Sequence, residues 1–128
     1  MAMVEVTIRA RRYPTEDREK VARAIKNVFP DADIQGEDPM VARSSSLETF
    51  CDILKRQRIR DAARAVLRRG LKRGAVSFVL NKQVASVGKI SFSEGSHALG
   101  DIEVLVSTED IQMLIDSLVP EARRENRT

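Results

Sequence analysis

Residues 3 to 12 alternate between apolar and polar positions, with Val4, Val6, Ile8 and Ala10 on one face and Glu5, Thr7, Arg9 and Arg11 on the other. A period of two rich in β-branched residues predicts a half-buried strand. Pro14 and Thr15 punctuate it. Thr15 is the expected cap of the next helix, and Glu16 and Asp17 suit the positive end of its dipole. In that helix Val21, Ile25 and Val28 recur at helical spacing, and Phe29-Pro30-Asp31 ends it. Residues 32–46, interrupted by Gly36 and Pro39, read as two short strands or one bent strand. Ser45 or Ser46 is the expected cap of a second helix, whose apolar stripe is Leu47, Phe50, Cys51 and Leu54. A third helical segment runs from about Arg58 to Arg69, continuous with the second or set off by a kink. Ile59, Ala62, Ala63, Val66 and Leu67 form its buried face, and Gly70 and Gly74 offer stops.

After Gly74 the period returns to two. Val76, Phe78 and Leu80 predict a strand, Asn81-Lys82 or Lys82-Gln83 the turn of a hairpin, and Val84 to about Phe92 the return strand. The polar loop at 93–101 leads to a last strand with Ile102, Val104 and Val106 inward. Thr108 is the expected cap of a closing helix carrying Ile111, Leu114, Ile115 and Leu118. Pro120 should end it, leaving residues 120–128 as a frayed tail. This order of elements predicts one α+β domain over residues 1–119: a two-layer sandwich, mostly antiparallel sheet, with helices packed on one face.

The 128 residues suffice to bury a core without disulfides or metals. Tryptophan is absent and aromatics make up 4% of the chain, so a stacking platform for single-stranded bases would be poorly supplied. A single cysteine, Cys51, allows no internal disulfide and fits a reducing compartment. The opening MAMVEVTIRA lacks the pattern of a signal peptide, and no apolar run approaches a membrane span. The expected location is therefore cytoplasmic, with no membrane partner.

Charge changes the picture more than composition does. The chain is +3 overall, yet residues 55–73 carry nine Lys/Arg against one Asp, and residues 94–121 carry seven Asp/Glu with no Lys or Arg. Taking Ile59 as zero on a helical wheel, Arg60, Arg64 and Arg68 fall at about 100, 140 and 180 degrees, one coherent flank. Arginines repeated at this spacing repel each other, and only Asp61 relieves them. A planar guanidinium suits phosphate because it donates two parallel hydrogen bonds. The candidate polyanion-binding residues are Arg60, Arg64, Arg68, Arg69, Lys72 and Arg73, with Lys82, Gln83 and Lys89 contributed by the expected hairpin.

Catalytic signatures are missing. The glycines of RRGLKRG lack the spacing of a phosphate-cradling loop followed by Lys and Ser/Thr, and a helix stop explains them. Cys51 lies on an apolar stripe without a histidine partner, and His97 stands alone in a polar loop. Asp101 and Glu103 are too few ligands for a cation. No catalytic residue, metal or cofactor is expected.

The stretches KRQRIRDAARAVLRRGL, FVLNKQVASVGKISF and HALGDIEV resemble an archaeal family of small proteins described as predicted RNA-binding subunits of the exosome. The most specific segments are residues 57–64, 81–85 and 99–102, and the resemblance spans nearly the whole chain. Where the family often has a proline before the Leu-Gly pair, this chain has His97-Ala98. The resemblance implies a fold like that of a ribosomal protein of the large subunit, or of double-stranded-RNA-binding domains. It also implies a non-catalytic role accessory to RNA processing or degradation, with exosome subunits as partners. Structured or double-stranded RNA is the expected ligand, because it is read by shape, phosphates and ribose hydroxyls and needs no aromatic platform. The rival reading is a homodimeric interaction module, in which the basic helix of one copy meets the acidic third of another.

Overall fold

The alternation of residues 4–10 becomes strand β1 (Val4–Ala10), with Val6, Ile8 and Ala10 buried and Glu5, Thr7 and Arg9 exposed. The computed structural model describes residues 4–93 and 101–118. Among these, the further strands are β2 (Asp33–Gln35), β3 (Met40–Ser44), β4 (Leu71–Lys72), β5 (Ala75–Asn81) and β6 (Asp101–Thr108). The helices are α1 (Arg18–Val28), α2 (Glu48–Gln57), α3 (Arg60–Arg69), α4 (Lys82–Ser86) and α5 (Ile111–Leu118). The strands form one sheet in the order β2-β3-β1-β6-β5-β4, antiparallel at every pairing. The α+β sandwich expected from the sequence is the fold observed. The expected frayed tail at 120–128 lies outside the described residues.

Register explains the two faces of the sheet. Ile8 sits opposite Ala42 on β3 and Val104 on β6, and Phe78 opposes Val104 from the other side. These residues are buried, as are Met40, Leu80, Ile102 and Val106. The neighbouring positions Thr7, Arg9, Arg43, Ser77, Glu103 and Leu105 are exposed. A strand's side chains alternate, so one set is buried beneath the helices and the other meets solvent.

Phe50 of α2 centres the layer between helices and sheet. Its ring stacks on Phe29 at 6.0 Å between centroids and on Phe78 at 5.4 Å, and meets Phe92 edge-on at 6.4 Å. Phe78 and Phe92 touch edge-on at 5.8 Å. These are all four phenylalanines of the chain, so the core consumes every one. Such offset and edge contacts each add about 0.5–1.5 kcal/mol beyond area burial.

Three local expectations are corrected. First, residues 76–92 do not form a hairpin turning at Asn81–Gln83. Asn81 caps α4, its side-chain oxygen accepting from the Val84 amide at 3.0 Å, and β5 takes β6 as its long partner. An N-cap asparagine followed by Lys-Gln-Val-Ala starts a helix as readily as a turn, and tertiary pairing decides. Only an isolated bridge between Leu80 and Phe92 remains of the return strand. Second, Asp17 rather than Thr15 caps α1, accepting from the Glu19 amide at 3.0 Å. Third, Asp110 rather than Thr108 caps α5, accepting from the Met113 amide at 3.1 Å.

A hairpin does exist, one element earlier than expected. Leu71 pairs with Val76 and Lys72 with Ala75, leaving Arg73-Gly74 as a two-residue turn with φ of 52° and 78°. Positive φ at both turn residues matches the right-handed twist of the flanking strands. Gly70 lets this hairpin fold back, since a Cβ there would collide with the Ser77 carbonyl of β5. Gly70→Ala should therefore destabilise the domain by about 1–3 kcal/mol, read as a lower urea midpoint. An unchanged midpoint would show that the hairpin does not press on α3.

Candidate nucleic-acid interface

The basic stretch is built as an elbow, a helix and a hairpin. Arg58 terminates α2 in the left-handed conformation (φ 59°, ψ 41°), its amide donating to the carbonyls of Leu54 and Lys55. That turn separates α2 from α3, so the kinked alternative is the one realised. Helix α3 buries Ala63 and Leu67 and half-buries Ile59 and Val66. Its last turn exposes Arg68 and Arg69, where cations also suit the negative end of the helix dipole. Lys72 and Arg73 are exposed on the hairpin that follows, and Lys55, Arg56 and Arg58 are exposed at the elbow.

Arg60 and Arg64 differ from the rest. Both are half-buried at the edge of the apolar stripe and both have interactions of their own, and the Arg64 Nε is shielded from solvent. The flank expected from the wheel is thus graded, engaged at its start and open at Arg68.

Lys82 and Gln83 do not stand at a hairpin tip. Lys82 is 5% exposed, and its ammonium donates to the Arg11 carbonyl at 2.7 Å and to Glu16 at 3.0 Å. The same ammonium lies 5.6 Å from the centre of the Tyr13 ring. A buried ammonium needs such partners to offset desolvation, so this lysine joins the end of β1, the approach to α1 and the start of α4. Gln83 is exposed on α4, lining a cleft between α1 and α4 with Lys20, Asp17 and Ser86. Lys89 is exposed beside a contact that sequence reasoning missed. The Gln57 amide donates to the Ile90 carbonyl at 2.9 Å and accepts from the Ile90 amide at 2.7 Å, a side-chain copy of a β-ladder pair. Gln57 thereby ties the end of α2 to the segment bearing Lys89. No sequence signal marks this contact.

Around the end of β1 and the start of α1, arginines are paired. Arg11 contacts Asp38 at 3.0 Å, and Arg12 and Arg18 reach Glu37 at 3.2 and 3.6 Å. By contrast, the side chains of Arg56, Arg58, Arg68, Arg69, Lys72 and Arg73 have no ion-pair or hydrogen-bond partner among the described residues. Among the described residues, the acids of the last third do not form one facing patch either. Asp101 is buried and accepts from the Ser93 hydroxyl at 2.9 Å, Glu103 is exposed on the open sheet face, and Glu109 and Asp110 flank the far end of β6.

Cys51 packs half-buried against the core. Burial first, and then the charges of Asp52 and Glu48, push its thiol up to about 11, so the nucleophilic thiolate is scarce at neutral pH. His97 lies outside the described residues. No three His, Cys, Asp or Glu side chains gather into a metal-binding group among the described residues, and no described helix is long and apolar enough to cross a membrane.

A family model described as RNA binding matches residues 5–108. The chain belongs to this family. Among curated relatives it is 41% identical to a UPF0201 protein of Methanothermobacter thermautotrophicus, covering 92% of this chain and 89% of that one. It is 37% identical to a UPF0200/UPF0201 protein of Archaeoglobus fulgidus, over 94% of this chain but only 38% of that longer protein. The crystal structure of the UPF0201 protein from Methanococcus jannaschii superposes with a TM-score of 0.82 at 38% identity, covering 91% of this chain and 92% of that one. A DUF54 protein from Methanothermobacter thermautotrophicus shares the fold at a TM-score of 0.65 and 22% identity, over 95% of this chain and 97% of the other.

Lys82→Ala should leave Glu16 facing a lost partner and cost about 2–4 kcal/mol. That is somewhat less than breaking a fully buried pair, because Glu16 keeps some solvent. Thermal unfolding would measure it, and an unchanged melting temperature would return Lys82 to the surface.

Proposed function

We propose that the protein is a non-catalytic RNA-binding protein that holds structured or double-stranded RNA along the ridge running from the α2–α3 elbow through α3 to the β4–β5 hairpin. The observation that carries this reading is the contrast in charge pairing. Arg68, Arg69, Lys72 and Arg73 are exposed without a partner among the described residues, whereas Arg11, Arg12 and Arg18 are neutralised by acids. These four open cations present the field that a phosphate backbone seeks. The family's description as RNA binding supports the same ligand.

Consumption of the aromatics supports duplex over single strand. All four phenylalanines pack in or against the core, and the single tyrosine, Tyr13, is exposed but stands alone beside the Lys82 ammonium, one ring rather than a platform. Single strands are held by stacking bases on aromatic side chains, whereas duplexes are recognised by shape and by phosphate and ribose contacts. The open sheet face is a poorer candidate, because Arg9 and Arg43 share it with Glu5, Asp33 and Glu103. An accessory role in RNA processing, in the cytoplasm and with exosome subunits as partners, is the finer form of the proposal. Co-purification from cells grown with the tagged protein tests it. The homodimer rival, a basic helix meeting an acidic patch, draws less support because the described acids are dispersed.

Titrating an RNA hairpin at several salt concentrations should give a log affinity that falls linearly with log salt, with a slope reflecting several neutralised phosphates. The double substitution Arg68→Glu, Arg69→Glu alters the ridge charge by −4 relative to the unchanged protein. Both side chains are exposed, so the melting temperature should move little. Affinity should drop at least a hundredfold, roughly a decade for each reversed contact. No binding by the unaltered protein at low salt would end the proposal.

A further inference from the structure

Two backbone positions on the ridge break the local rules of their own elements. Among the described residues, the non-glycine residues with positive φ are Arg58, at 59°, and Arg73, at 52°. Arg58 ends α2 in a conformation where glycine or asparagine is usual. Arg73 opens a two-residue hairpin turn, where asparagine, aspartate or glycine is usual. In both places an L-residue crowds its own carbonyl and costs stability. Both arginines are exposed, and neither side chain has a partner among the described residues. Their guanidiniums therefore repay nothing to the fold. Residues held against backbone preference concentrate at functional sites, and departures from local consistency point the same way.

Their placement is also specific. Arg58 lies two residues before α3 begins and Arg73 four residues after it ends, so the pair brackets a ten-residue helix. Such a helix is roughly 15 Å long. Each side chain leaves a fixed point. The Arg58 amide is hydrogen-bonded into the end of α2, and Arg73 is held by the pairing of Lys72 with Ala75. A cation on a fixed backbone loses less freedom on binding than one on a mobile loop.

We infer that Arg58 and Arg73 are the two anchoring contacts of the ridge, gripping RNA phosphates at either end of α3, with Arg68 and Arg69 between them. The inference rests on the RNA reading and adds to it Arg58, a residue outside the candidate set that the sequence offered. Other exposed cations, such as Lys55 on an ordinary helical backbone, steer the ligand without anchoring it.

The test measures affinity for an RNA hairpin with a stem of about 20 base pairs, alongside melting temperature. Arg58→Gly and Arg73→Gly relieve the backbone while removing the guanidinium. Each should weaken binding about tenfold and lower the salt slope by about one, with a melting temperature unchanged or raised. Lys55→Ala should weaken binding by no more than about twofold. Should a glycine variant lose folded structure, Arg58→Asn and Arg73→Asn keep the left-handed backbone, and the same binding criterion is read on them. Glycine or asparagine variants that bind as tightly as the unaltered protein, while Arg68→Glu, Arg69→Glu still weakens binding, overturn this inference and leave the RNA reading standing. Absence of binding by the unaltered protein overturns both.

Discussion

The ring of Phe50 is the contact on which the rest of the molecule depends. It joins α2 to the end of α1 through Phe29, to the sheet through Phe78, and to the segment after α4 through Phe92. With that cluster formed, α2 lies across the buried face of the sheet and its C-terminal end stands at the Gln57–Ile90 contact. The chain must then turn at Arg58, and α3 follows with Ala63 and Leu67 inward. A helix packed by one narrow apolar stripe leaves much of its circumference to solvent, and here Arg68 and Arg69 stand on it beside Asp61, Ala62 and Ala65.

The same cluster limits what the surface does. A core that uses every phenylalanine leaves charge, backbone geometry and shape as the means of recognition. Those means are distributed unevenly. At the end of the sheet where β1 closes, Arg11, Arg12, Arg18 and Lys82 are held by Asp38, Glu37 and Glu16. At the ridge Arg58, Arg68, Arg69, Lys72 and Arg73 stand open among the described residues. Exposed ion pairs contribute little to stability, so the contrast matters for the field offered to a partner more than for folding.

Much of this was legible in the sequence, because burial imposes a period. The strands β1, β5 and β6 and the stripes of α1 and α2 follow from alternating or helical spacing of Val, Ile, Leu and Phe. The basic stretch and the core role of Cys51 were legible for the same reason. What misled was local chemistry with two solutions. Asn81-Lys82-Gln83 suits a turn or a helix start, and only the buried partner of Lys82, sixty-six residues away in Glu16, decides between them. The β4–β5 turn went unseen because arginine stands where a small residue would announce it. The Gln57 contact with Ile90 joins residues thirty-three apart, and no spacing rule reports it.

The central claim is that the ridge, and not the open sheet face, meets RNA. Nuclear magnetic resonance of the arginine side chains, followed as an RNA hairpin is added, tests it most directly, because each Nε–H reports its own environment. The account predicts that the signals of Arg58, Arg68, Arg69 and Arg73 shift together while those of Arg9 and Arg43 on the sheet stay in place. Shifts confined to Arg9 and Arg43, with the ridge unmoved, would contradict it.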